Sequence, residues 1–462
     1  MIPKKINSDK TALNSVDDII EYFRTNLVHI YYISHTKINL QNIHKRVNRF
    51  HYISLDDDSC NRLEHLNNLN LHQPGCLFAN IVLANKELVK QFKSDQPSPN
   101  FVFLNYDFNT EKLLNKHQFK LLNPPFALYQ ELDSKIDIIN IVQKLGIPTI
   151  PCIISEIKDN KDIESFIEKL GTKIVIQSPF GSAGEGTYFI RNEKDYLKYR
   201  DELTHKGPMK IMREINCKQY GIDACSTRCG TILGPILTDL VGNKYLTNFE
   251  GGSCGNEIYD NVIDVNNKIK ILEYTKKIGN YLYTTKRFRG SFTVDYLLDR
   301  SNNQIYFGEI NPRISSAGFL TNEILDHCSI PLFLFHLLEF LDVEFKIDVD
   351  EFNLNTQKYI KNRCFSQLII SNTSTQTLNT KNIKNGIWRM NDHSITFLRN
   401  ADSIHDINND SEAFVFARPS SQELIDGDCI GRIAFKKRIM DDHYNLTVSA
   451  TRWIQFFKQL LV

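Results

Sequence analysis

The stretch from Arg289 to Gly318 reads RGSFTVDYLLDRSNNQIYFGEINPRISSAG, and its pattern is that of a hairpin ending in a polar cluster. An apolar, β-rich run from Ser291 to Leu298 leads into Asp299-Arg300-Ser301-Asn302-Asn303, which is turn chemistry. A second run, Gln304 to Ile310, closes in Glu-Ile-Asn-Pro-Arg. Side chains two apart on a strand share a face, so the Glu309 carboxylate and the Asn311 amide point the same way. Arg313 follows where the strand stops, and Asp295 on the partner strand can join them. Hard oxygen donors beside a fixed cation suit magnesium holding a polyphosphate, because magnesium keeps few protein ligands and takes the rest from phosphate and water. An ordinary hairpin with a wet polar face is the competing explanation. For Asp295 alone it is the simpler one; for Glu309, Asn311 and Arg313 around a proline, the functional reading outweighs it.

The chain has 462 residues, room for two to four domains at about 100–200 residues each. Net charge is +1 and no basic stripe with interleaved aromatics occurs, which disfavours nucleic acid as a partner. The ten cysteines are scattered and form no Cys-x-x-Cys pair. That argues against structural zinc or a disulfide framework and for reduced thiols in the cytoplasm. The N-terminal residues show no apolar leader segment. The longest apolar run, Ile330 to Phe340, is broken by His336 and Glu339 and is too short for a membrane span.

Along the chain, Ser15 and Asp18 mark a helix start. Strand candidates at Leu27–Ile33 and Phe101–Leu104 flank a helix over Ile81–Phe92, which predicts a small α/β domain with a parallel sheet. No G-x-G-x-x-G follows the first strand, so nothing indicates a dinucleotide. Asn123-Pro124-Pro125 is a boundary. Lys135 then leads a helix ending at Gly146, and a second helix ends at Gly171. The strand Lys173–Gln177 enters a loop with Gly181, Ser182, Gly184, Gly186 and Thr187, whose backbone N–H groups can turn toward anionic oxygens. It is not a Walker A loop, lacking Gly-Lys-Ser/Thr and a following helix. A strand over Met209–Arg213 runs on through Glu214, Ile215 and Cys217. A second glycine-rich loop spans Asn248–Glu257, where a catalytic role for Cys254 is disfavoured for want of an assignable partner. Val262–Leu282 predicts an amphipathic helix with Ile269, Leu272, Ile278 and Leu282 near one face. Lys346 to about Thr356 reads as a polar linker, and strand-rich sequence follows.

The segments D-Y-L-L-D from Asp295 and Y-F-G-E-I-N-P-R from Tyr306 resemble the metal-binding end of the ATP-grasp ligases, the group that includes biotin carboxylase and D-alanine–D-alanine ligase. The resemblance implies mixed α/β and α+β architecture: a Rossmann-like domain over residues 1–122, ATP-grasp domains over 123–345 and a small β-rich subdomain over 346–462. It implies ATP on Lys135, Gln177, Gly181, Ser182, Gly184, Gly186 and Thr187, with adenine against Glu214, Ile215 and Cys217. It places Mg2+, or alternatively Mn2+, on Asp295, Glu309 and Asn311. Arg313 becomes the catalytic residue, stabilising the developing oxyanions or gripping a substrate carboxylate. In one respect the chain departs from the pattern: many members carry a lysine at the position of Gln177.

The implied reaction is a ligation in which a carboxylate takes the γ-phosphoryl group and an amine then displaces phosphate. The partners are small carboxylates and amines, and a homodimer is a compatible assembly. Three rivals stand beside it: a carboxylase using bicarbonate, a kinase, and a nucleotide-binding module without turnover. Gln177 keeps the last open, and intact Glu309, Asn311 and Arg313 argue against it.

Overall fold

The computed structural model describes residues 12–54, 76–378, 380, 383–418 and 424–461. Cys60 and the N-terminal residues 1–11, on which the leader reading rests, lie outside them. The nine described cysteines form no disulfide. No helix among the described residues is long and apolar enough to cross a membrane.

Four strands, β1 (Ile30–Ile33), β2 (Phe50–Ile53), β3 (Asn100–Phe103) and β4 (Lys120–Leu121), form the expected parallel sheet in the order β2-β1-β3-β4. Every residue of β1 and β3 is buried. Packing on both faces of a parallel sheet explains why these strands read as continuous rather than alternating apolar runs. Ser15 caps the helix Val16–Thr25, its hydroxyl accepting the Asp18 N–H. The single helix expected over Ile81–Phe92 is two, Phe78–Ala84 and Lys86–Ser94. Asn85 leaves the helical conformation between them, and its side chain accepts the N–H groups of Glu87 and Leu88. A residue that can cap the next helix so competes with continuing the first.

The strands β5 (Cys152–Ser155), β6 (Ile174–Gln177), β7 (Thr187–Ile190) and β8 (Met209–Arg213) form an antiparallel sheet in the order β5-β8-β6-β7. Ile174, Ile176 and Ile211 pack under the helices Asn160–Leu170 and Glu193–Leu203. By period-2 alternation, Val175, Gln177, Lys210 and Met212 face the other way, into a cavity.

The third sheet contains β9 (Cys217–Thr227), β10 (Gly230–Val241), β11 (Ser253–Tyr259), β12 (Gly290–Asp299), β13 (Gln304–Asn311), β14 (Cys364–Ser371), β15 (Gly386–Met390), β16 (Ile395–Arg399), β17 (Glu412–Ala417) and β18 (Cys429–Phe435). They run β13-β12-β9-β10-β11-β14-β18-β17-β15-β16. Because β11 pairs with β14, the sheet continues unbroken past residue 345. The helix Val265–Lys286 buries Ile271, Thr275, Ile278 and Leu282. Ile269, expected on that face, is exposed; it lies two residues before Ile271, about 200° around the helix. The polar linker expected from Lys346 is largely a helix, Val349–Tyr359, capped by Asp348. Its buried Asn353 accepts the Leu233 N–H (2.8 Å) and donates to the Thr231 carbonyl (3.1 Å). These bonds serve β10 where its pairing with β9 shifts between Leu233 and Ile236. A buried polar side chain with such a task looks like linker sequence when only apolar residues are counted.

Candidate functional site

A cavity of about 190 Å³ lies between the four-stranded antiparallel sheet and the ten-stranded sheet. Lys135, Gln177 and Lys210 line one side, and Asp295 and Glu309 the other. Asp295 and Glu309 are direct cross-strand partners. The pairing of β12 with β13 shifts between Asp295 and Tyr296, leaving Gly308 as an extra residue. That bulge reverses the alternation. Ile305, Phe307 and Ile310 all reach the core, while Glu309 turns to the cavity.

Asn311 Nδ2 lies 3.3 Å from Asp295 Oδ2 and 3.5 Å from Glu309 Oε1. Arg313 donates to Asn311 Oδ1 at 3.0 Å and to the Tyr129 hydroxyl at 3.4 Å. The four residues expected together at the hairpin's end are thus in one cluster. Burial, followed by the neighbouring Glu309 carboxylate, pushes the Asp295 carboxyl well above the usual carboxylate range. Two carboxylates converge where negative charge is already crowded, with the Asn311 amide nitrogen turned to them and its oxygen held by Arg313; their oxygens are donors suited to a hard divalent cation.

Lys135 is not a solvated lysine. Its side chain is 8% exposed, with Nζ 3.3 Å from Glu309 Oε2 and donating to the Gly181 carbonyl at 2.8 Å. Its backbone N–H donates to the Pro179 carbonyl, fastening the start of the glycine-rich loop. Within that loop Gly181, Ala183, Gly184 and Gly186 all have positive φ. Gly181, Gly184 and Thr187 wall the cavity. Ser182 and Gly186 belong to the turn behind it; a Cβ on Gly186 would collide with the Ser178 hydroxyl. Gln177 donates to Thr187 Oγ1 at 3.4 Å.

The second glycine-rich loop ends earlier than expected, since Ser253 to Tyr259 is β11. Cys254 is therefore a buried strand residue whose thiol donates to the Leu240 carbonyl, and burial pushes it up to about 12. Such a thiol is not a nucleophile at neutral pH. The two loops touch: a Cβ built on Gly184 would lie 2.5 Å from the backbone nitrogen of Gly252.

Glu214, Ile215 and Cys217 wall the far end of the cavity. Arg191 donates to Glu214 from Nε (2.9 Å) and Nη2 (2.7 Å) and to Glu250 of the second loop (2.6 Å). The sequence does not single out Arg191, a polar residue one position past β7 with no pattern around it. Nor does it single out Lys210, although a lysine inside the apolar run Met-Lys-Ile-Met is a signal that could have found it.

Two sheets enclosing a cavity, with a glycine-rich loop on one and a paired acidic hairpin on the other, define an ATP-grasp fold. No known family model matches the chain. It is 28% identical over 233 residues to the N5-carboxyaminoimidazole ribonucleotide synthase of Staphylococcus aureus (strain MRSA252), a match covering 48% of this chain and 57% of that protein. The chain thus spans little more than half the length of that curated relative. The crystal structure of N5-carboxyaminoimidazole synthetase from Staphylococcus aureus complexed with ADP superposes with a TM-score of 0.54 at 15% identity, over 99% of this chain and all of that one. The biotin carboxylase domain dimer of the Hydrogenobacter thermophilus 2-oxoglutarate carboxylase, complexed with MgADP, ADP and bicarbonate, gives 0.55 at 11% identity over 93% of this chain and 86% of that one. The chain thus shares the fold of these neighbours, the ATP-grasp fold that the hairpin residues suggest.

Proposed function

We propose that this chain is an ATP-dependent ligase that joins a carboxylate to an amine through an acylphosphate, releasing ADP and phosphate. The observation that carries the reading is the convergence of Asp295, Glu309 and Asn311 opposite Lys135, beneath two touching glycine-rich loops. Asp295, Glu309 and Asn311 would hold magnesium, which when bound neutralises charge on the polyphosphate. Lys135 and the backbone N–H groups around Gly181 and Gly184 orient the phosphates. Glu214, Ile215 and Cys217 receive the adenine, with Arg191 fixing the Glu214 carboxylate. Arg313, held by Asn311 and Tyr129, presents its guanidinium to the oxyanion that develops as the acid is phosphorylated, or grips that acid in a bidentate pair. The loops exclude water, which would otherwise hydrolyse the acylphosphate. The same reading divides the chain at residues 122 and 345, and it places the protein in the cytoplasm.

A second reading takes bicarbonate as the acid, so that the product is an N-carboxylated amine. The match to an N5-carboxyaminoimidazole ribonucleotide synthase favours it, as does the bicarbonate bound by the biotin carboxylase neighbour. The test for both is incubation with ATP and magnesium, with and without pools of amines, small acids and bicarbonate, read by ³¹P NMR and mass spectrometry. ADP and phosphate that appear only with a pool, with a product mass equal to acid plus amine less water, establish a ligase and name its substrates. Dependence on bicarbonate selects the second reading. A persistent phosphorylated product would replace both with a kinase.

A further inference from the structure

Lys210 and Gln177 are directly opposed across the β6–β8 ladder. Directly opposed residues of an antiparallel pair project from the same face, and both line the cavity. Lys210 is only 5% exposed. Among the described residues its ammonium makes no hydrogen bond or ion pair, whereas that of Lys135 is held by Gly181 and Glu309. A buried lysine brings three donors and a charge, and leaving them without a partner is costly. We propose that Lys210 is a phosphate-binding residue, supplying from β8 the positive charge that Gln177 does not supply from β6. The inference rests on the nucleotide reading of the cavity.

Position along the strand supports it. Lys210 precedes Glu214 by four residues, about 13 Å of extended chain. That distance lets a base at Glu214 place its phosphates beside Lys210. The surroundings agree. Burial lowers the affinity of Lys210 for its proton, Cys152 and Glu309 act to keep it charged, and Lys135 opposes that. A polyphosphate entering between the two lysines would remove their mutual repulsion and satisfy the free donors. The cavity is then built with two cations, Lys135 and Lys210, reaching the phosphates from different elements, and Gln177 adds a neutral hydrogen bond between them.

The experiment compares MgADP and adenosine binding by calorimetry in the full-length wild type, in Lys210→Gln and in the exchange variant Gln177→Lys/Lys210→Gln. Loss of a charge-assisted contact should weaken MgADP about tenfold to a hundredfold in Lys210→Gln, leave adenosine within about twofold, and be largely restored by the exchange. MgADP bound as tightly by Lys210→Gln as by wild type overturns the inference and leaves the nucleotide reading intact. Equal losses for MgADP and adenosine also overturn it, since a packing defect would act on both. A wild type that binds neither probe overturns the nucleotide reading itself. A measurement on the wild type alone guards against a variant that does not fold: MgADP, but not adenosine, should protect Lys210 from lysine acylation followed by mass spectrometry. Equal labelling in all three states overturns the proposal.

Discussion

The ammonium of Lys135 lies 3.3 Å from a carboxylate oxygen of Glu309, an ion pair that crosses the cavity from the segment before one helix to the end of β13. It joins the two sides of the site, and it gives the acidic hairpin a compensating charge.

Glu309 belongs at once to that pair and to the acidic cluster that raises the Asp295 proton affinity. Glu309→Ala should therefore change stability little, within about 1 kcal/mol, because a lost ion pair is offset by relieved repulsion. ADP formation should fall at least about a hundredfold, since the variant removes a central oxygen of the proposed metal site. Normal turnover in a folded Glu309→Ala protein would exclude the metal assignment.

The contact between the two glycine-rich loops gives a second prediction. Gly184 has φ +89° and would place a Cβ 2.5 Å from the Gly252 nitrogen. Gly184→Ala cannot keep both the dihedral and the contact without strain. The loops should separate, and MgATP affinity should drop about tenfold, roughly the effect of that strain. Calorimetry measures the affinity. Denaturant unfolding should show less than about 1 kcal/mol of lost stability, because an open surface loop relieves the strain.

Asp223 anchors the segment that follows Arg313. Its carboxylate is buried and accepts the hydroxyls of Thr293 (2.6 Å), Ser315 (2.7 Å) and Thr321 (2.5 Å). Asp223→Ala strands three hydroxyl donors and should cost about 3–5 kcal/mol, whereas Thr321→Val should cost about 1 kcal/mol. Guanidinium unfolding of the two variants checks the ratio. Equal, small losses would show that water replaces the carboxylate.

The hairpin was legible because strand period and turn chemistry are local: Glu309 and Asn311 are two apart whatever the rest of the chain does. The bulge at Gly308 was not, because one additional residue looks the same in sequence whether or not its partner strand skips it. The helix Val265–Lys286 was legible as amphipathic, but its phase was not. Ile269 and Ile271 are equally apolar, and only packing against β9 and β10 decides between them. Lys135 carried a helix-start signal alone; its role came from the resemblance, and its burial comes from the glycine-rich loop folding back onto it. Arg191 owes its significance to Glu250, far away in sequence, which no local pattern encodes; Lys210 stands out locally as a lysine in an apolar run, but its place beside Gln177 comes only from the pairing of β6 with β8.

His336 carries a prediction about pH. It is buried, and its Nδ1 accepts the Ser291 N–H at 3.1 Å. Nε2 faces the Leu122 carbonyl at 2.7 Å. With Nδ1 an acceptor, Nε2 holds the proton of a neutral ring, and a second proton would break the bond to Ser291. Gly290 permits this approach, since a Cβ there would lie 2.5 Å from Nδ1. Burial lowers the His336 pKa to about 4. A histidine whose folded pKa is depressed binds its proton more readily when unfolded. Its contribution is therefore fully present above pH ~6.5 and is lost as pH falls toward about 4, amounting to about 3 kcal/mol over that window. His336→Gln cannot titrate, so the fall in stability between those pH values should be shallower by that amount, measured by urea unfolding at half-unit steps. Parallel curves for the two proteins would mean that His336 binds its proton equally well in the folded and unfolded chain.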